Sequence, residues 1–140
     1  SATISAGTLE IVASSLSGTY TPVGGPVAIT GSAQTDALAF EINGITIRDL
    51  DGNGSGFTLT ANADANLTNG TINLPRGTVT GFNGSSNPGS TTVDTPNQIT
   101  YNSGSGVNGY TIDYDLAYTV PALAEAGTYQ GVVAFAITSL

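Results

Sequence analysis

Thr128-Tyr129-Gln130-Gly131-Val132-Val133-Ala134-Phe135-Ala136-Ile137-Thr138 sets Tyr129, Val133, Phe135 and Ile137 on one side of an extended chain and Val132, Ala134 and Ala136 on the other. Successive side chains of a strand point to opposite faces, so both faces of this one are apolar. A half-solvated strand would alternate with polar residues. The pattern therefore predicts a strand covered on both sides within the domain, the alternative being a strand that lies against a neighbouring subunit.

Outward from this segment, short β-branched and apolar runs recur between Gly, Asn, Asp and Pro breaks. They are Ala2 to Ser5, Thr8 to Ser14, Val27 to Gly31, Ala37 to Ile42, Ile45 to Leu50, Gly56 to Ala61, Thr71 to Asn73, Thr78 to Phe82, Thr91 to Asp94, Gln98 to Tyr101 and Tyr110 to Val120. Asn43-Gly44 and Asn69-Gly70 suit tight hairpin turns, which need positive φ. Gly81 to Ser90 reads as a mobile loop. The only Ala/Leu/Glu cluster, Pro121 to Gly127, is bounded by Pro and Gly and supports at most one turn. The expected fold class is all-β: a single β-sandwich, Greek-key or jelly-roll-like, of about 9–12 short strands with almost no helix, spanning residues 1–140 as one domain.

The N-terminal segment keeps Ala2, Ile4 and Ala6 on one parity, then Leu9, Ile11 and Ala13 on the other, so Gly7 reads as a bulge or hinge. A terminal strand with its own register can leave its sheet and pair with another molecule, which makes residues 1–13 a candidate exchangeable strand.

The composition narrows the class. Charged residues make up 9% of the 140, Gly numbers 19, and Cys, Met, His and Trp are absent. That usage points to a secreted, extracellular or cell-surface protein, and Ser1-Ala2-Thr3-Ile4 reads as a mature terminus left by a signal peptidase. No apolar run is long enough to span a membrane. A net charge of −8, with Arg48 and Arg76 as the only strong bases, leaves nothing to neutralise phosphates, so nucleic acid is excluded as a partner.

Catalytic chemistry finds few parts. Nucleophilic catalysis needs a base beside an activated Ser, Thr or Cys, and the chain has neither His nor Lys. Asp113 and Asp115 share one strand face, as an acid and base pair would, but a solvated or Arg-paired strand edge is the favoured reading. The absence of Lys also removes Lys-Asn isopeptide cross-links and sortase polymerisation, so any polymer is non-covalent. The chain is read as having no catalytic residues.

Asp49-Leu50-Asp51-Gly52-Asn53-Gly54 matches the opening half of an EF-hand loop, with oxygens at the first, third and fifth positions and Gly at the sixth. The twelfth position is Thr60, where a bidentate Glu is needed. Asp49, Asp51 and Asn53 are thus candidate ligands of a structural calcium, and an Asp/Gly-rich turn is the alternative. No other cofactor is indicated. Asn53, Asn66, Asn69 and Asn83 begin glycosylation sequons on turns and loops.

Ile45-Thr-Ile-Arg-Asp-Leu-Asp-Gly-Asn-Gly-Ser-Gly-Phe57-Thr-Leu59 resembles the first motif of WxL-type bacterial surface domains: a strand, a Gly-rich Asp turn, then Trp-x-Leu. Tyr118-Thr-Val-Pro121 through Ala126-Gly-Thr-Tyr129 to Phe135-Ala-Ile137 resembles their closing motif, and Ser5-Ala-Gly-Thr-Leu9 their opening. Phe57 and Phe135 stand where both tryptophans belong, and Ile137 replaces the second Leu. The resemblance implies non-covalent attachment to peptidoglycan or a surface polysaccharide, while core packing is the plain role for the two phenylalanines. Ala6-Gly-Thr-Leu9 also resembles the start of secreted biofilm-fibre subunits, which polymerise by donating an N-terminal strand.

The functional expectation is a non-enzymatic structural protein, a subunit of a non-covalent surface filament, pilus-like fibre or layer built by β-strand addition, with itself as principal partner. Its expected interface residues are Ala2, Ile4, Ala6, Leu9, Ile11, Val132, Ala134 and Ala136. A WxL-like wall-binding module centred on Phe57, Leu59, Phe135 and Ile137 is the alternative.

Overall fold

Tyr110–Val120 shows how alternation builds the core: Ile112, Tyr114, Leu116, Tyr118 and Val120 are all buried, while Asp113, Asp115 and Thr119 between them are only half-buried. This strand is the ninth of ten in a computed structural model that describes residues 2–3, 9–12, 15–16, 18–49, 56–78, 81–86, 91–95, 97–101 and 110–140. The strands are β1 (Leu9–Ile11), β2 (Gln34–Asp49), β3 (Phe57–Ala63), β4 (Asn66–Thr68), β5 (Asn73–Pro75), β6 (Gly81–Ser86), β7 (Thr91–Thr95), β8 (Gln98–Tyr101), β9 (Tyr110–Val120) and β10 (Val133–Ser139).

Two four-stranded antiparallel sheets form the layers, in the orders β1-β2-β9-β6 and β10-β3-β8-β7, and β4 and β5 make a separate hairpin. Inward residues of both sheets interdigitate: Ile42, Ile45, Ile47, Ile112 and Tyr114 from one, Phe57, Leu59 and Ile99 from the other. The all-β sandwich expected from the sequence is the observed fold, and β8 and β9 have the predicted ends.

Four local expectations are corrected. Asn43-Gly44 does not turn a hairpin: Ala37–Ile42 and Ile45–Asp49 belong to one strand, β2, with a bulge between Ile42 and Ile45, and Leu50 lies outside the described residues. Gly44 supplies the positive φ (71°), and its N–H donates to Asp113 Oδ1 at 2.8 Å. The extra residue flips the inward parity from Leu38, Phe40 and Ile42 to Ile45 and Ile47, which keeps both halves of the strand against β9.

Gly81–Ser86, expected as a mobile loop, is strand β6 on the β9 edge. Val27–Gly31, expected as a strand, is not one, and it has no strand partner among the described residues. The last strand is not covered on both faces: β10 lies at the edge of its sheet, its inward Val133, Phe135 and Ile137 half-buried and its outward Ala134 and Ala136 exposed. By contrast, Asn69-Gly70 does turn the β4–β5 hairpin, with Gly70 at φ 97° and Asn69 Oδ1 accepting from the N–H groups of Thr71 and Ile72.

Candidate functional site

Among the described residues, the Val133 to Ile137 edge of β10 is where the fold leaves strand chemistry unfinished. Asp64 N–H donates to Val132 O at 2.9 Å and Leu140 N–H to Gly56 O at 3.2 Å, so even-numbered residues here bond toward β3. In an antiparallel ladder the intervening residues then aim N–H and C=O the other way. The backbones of Val133, Phe135 and Ile137 have no partner among the described residues.

Natural sheets blunt such edges with charge, Pro, bulges or brevity. The other three do so: β1 is three residues long, and β6 and β7 each carry a register break. β10 runs seven residues, Val-Ala-Phe-Ala-Ile-Thr-Ser, in unbroken register with no charge and no Pro.

At its N-terminal end this edge opens onto an apolar groove of about 1180 Å³. The seam between β2 and β10 is shared: β1 covers the Ile47–Asp49 end, while Leu38, Phe40 and Tyr118 face Leu67, Leu74 and Val133 across the open end. Two exposed large apolar side chains, Val132 at 66% and Ile29 at 43% exposure, line the groove.

The expected interface residues divide. Leu9 and Ile11 are half-buried in β1 and paired with Asp49 and Ile47 of their own chain, Ala2 is exposed, and Val132, Ala134 and Ala136 form the exposed outer face along β10. Ile4, Ala6 and Gly7 lie outside the described residues. The edge itself was missed in the sequence, where the two-faced apolar pattern gave the only signal.

The WxL-like positions come together on adjacent strands, with Leu59 directly opposite Ile137 and Phe135 opposite Ala61. Phe57 and Leu59 are 0% exposed. The Phe135 ring lies 5.5 Å from Tyr114 and 6.2 Å from Phe82, in edge and tilted contacts. A fully buried Phe57 presents no ring surface to a wall polymer, and its place in the core is the role the packing supports.

The carboxylates are used locally. Asp113 accepts from Gly44 N–H, and Asp115 Oδ2 accepts from Asn83 Nδ2 at 2.9 Å. Asp49 is buried at the end of β2, whereas Asp51 and Asn53 fall outside the described residues. Among the described residues no three acidic side chains gather closely enough to hold a metal, and no helix is long and apolar enough to cross a membrane. Of the sequons, Asn66 is half-buried on β4, Asn69 caps its turn, Asn83 is exposed on β6, and Asn53 is outside the described residues.

Two core tyrosines give the domain an alkaline limit. Tyr114 OH donates to Asn97 Oδ1 at 2.6 Å and Tyr118 OH to Asp64 O at 2.8 Å. Burial raises both phenol pKa values above the ordinary value, with Arg76 pulling the other way. Below pH about 10 neither the folded nor the unfolded chain is ionised at these groups, and their contribution is complete. Above it the unfolded chain loses protons that the folded one keeps, so stability falls as pH rises from there through the raised folded pKa values. Denaturant midpoints should drop across this window, and Tyr114→Phe should flatten the drop. An unchanged pH slope in that variant would remove Tyr114 as a cause.

The chain matches no protein-family model, no curated protein and no solved structure.

Proposed function

We propose that this protein is a non-enzymatic extracellular structural subunit that assembles with copies of itself, without covalent links, by β-strand addition into a surface filament or layer. The observation that carries this reading is the unprotected edge of β10, an uncharged strand on which the backbones of Val133, Phe135 and Ile137 find no partner among the described residues. Strand addition satisfies those groups, and neutral side chains avoid the repulsion that a net charge of −8 imposes elsewhere.

A second strand contact supports the same reading. Among the described residues β1 pairs with β2 at three positions, continued by Val12 N–H donating to Thr46 O at 2.8 Å, and the Glu10–Arg48 ion pair at 3.0 Å is solvent-exposed and worth little. Residues 1–13 of one copy can therefore take the β1 place on the next, as in domain swapping.

Electron microscopy of the purified protein tests this: regular fibres or sheets are expected, and monodisperse monomers at every concentration would refute it. Deleting Ser1 to Ala6 should leave folded protein but abolish long fibres. Fibres of undiminished length after that deletion would remove the swapped strand from the reading.

A further inference from the structure

Resting on that strand-addition reading, we infer that the strand completing β10 is the Val27–Thr30 segment of a second copy. Val27-Ala28-Ile29-Thr30 has the composition of a strand, with three β-branched residues out of four and no charge. It lies between Pro26 and a positive-φ Gly31, and its backbone N–H groups find no backbone partner among the described residues. Among its described residues, one chain thus holds a strand-like segment without an edge and, at Val133 to Ile137, an edge without a strand.

The segment's own chain keeps it from β10. Val23 N–H donates to Ala39 O at 2.7 Å, and Gln34 Nε2 donates to Ala28 O at 2.8 Å, which ties both sides of the excursion to β2. The groove of about 1180 Å³ separates it from the β10 edge, Val27 and Ile29 lining one side and Gly131 to Val133 the other. A second copy's segment is under no such tether.

Charge and side-chain period also fit. Residues 11–35 and 126–140 contain no Asp, Glu, Lys or Arg, so the two surfaces meet without bringing like charges together in a chain of net charge −8. Val27 and Ile29 share one face of an extended segment. A strand laid along β10 with that face inward sets both side chains over the seam, beside Leu38, Phe40 and Val133. Donor and acceptor are different patches, so the contact is head-to-tail and propagates as an open chain unless its rotation closes a ring.

The chain lacks Cys, so single cysteines report the contact cleanly. Isotope-labelled Ala28→Cys, on the outward face that Ala134 and Ala136 share, is mixed with unlabelled Ala134→Cys or Ala136→Cys under assembly conditions and oxidised. Mixed disulfides between copies are expected in one register, because directly opposed strand residues bring Cα atoms within bridging distance. An Asn43→Cys control should give none. Ile29→Asp, at an exposed position with no tertiary bond to lose, should keep its melting temperature and fail to assemble. If wild-type fibres form but mixed disulfides do not, or if Ile29→Asp fibres persist, the Val27–Thr30 assignment is overturned while strand addition stands. If wild-type protein never assembles, the strand-addition reading fails instead.

Discussion

Phe57→Ala is expected to lower the unfolding free energy by about 3–5 kcal/mol, the range for removing a large aromatic from a close-packed core. Phe57 is 0% exposed and sits on β3, which is flanked by β10 through Ser139 and by β8 through Tyr101. Truncation leaves a cavity between two ladders whose backbones cannot move together without breaking hydrogen bonds, so the site collapses poorly. Against the roughly 5–15 kcal/mol that holds a domain folded, this is a large share. Asn62→Ala, exposed on the outward face of the same strand, should stay within about 0.5 kcal/mol of wild type. Urea denaturation measures both, and a Phe57→Ala cost below about 1 kcal/mol would show that the ring is not an anchor of this core.

Gly77→Ala is expected to cost about 1–3 kcal/mol for a different reason, the loss of a polar clamp. Asp36 is the only non-glycine with positive φ among the described residues, at 56°, and it stands between Gln34 and Leu38, where the β2–β9 register shifts. Its Oδ1 accepts from Thr78 N–H at 2.7 Å, and its own N–H donates to Thr119 Oγ1 at 3.3 Å. Gly77 N–H in turn donates to Ala117 O at 2.9 Å.

A Cβ on Gly77 runs into Asp36 Oδ1 and approaches Thr119 Oγ1. The carboxylate must then leave Thr78 while the backbone strain at Asp36 remains. In an Asp36→Gly background the clash and the strain are both absent. The cost of Gly77→Ala should accordingly shrink there, a coupling of about 1 kcal/mol or more in a double-mutant cycle. Strict additivity would mean that the carboxylate is not what Gly77 makes room for.

The clamp was illegible in the sequence because Asp36, Gly77 and Thr119 are far apart in the chain, and no local pattern links them. The Asn43-Gly44 bulge was half legible. The parity switch from Leu38, Phe40 and Ile42 to Ile45 and Ile47 is written in the residues, but a hairpin and a bulge both use Asn-Gly. The eleven-residue β9 decides between them, since it pairs with both halves of β2. Phe57 and Leu59 were legible as core, being inward positions of an alternating strand.

By itself the sequence determined an all-β chain, the ends of β8 and β9, and a core built from alternating β-branched and aromatic residues, because side-chain period is a local property of the backbone. It also determined that nucleophile-and-His chemistry and Lys-based cross-links are closed to this chain, because those residue types are missing. Only the tertiary structure decided that the strand with two apolar faces is an edge. Whether a face or an edge is covered depends on sheet order, and sheet order is set by pairing between residues remote in sequence. The apolar groove beside β10, and a Val27–Gly31 segment without a strand partner among the described residues, follow from that same order.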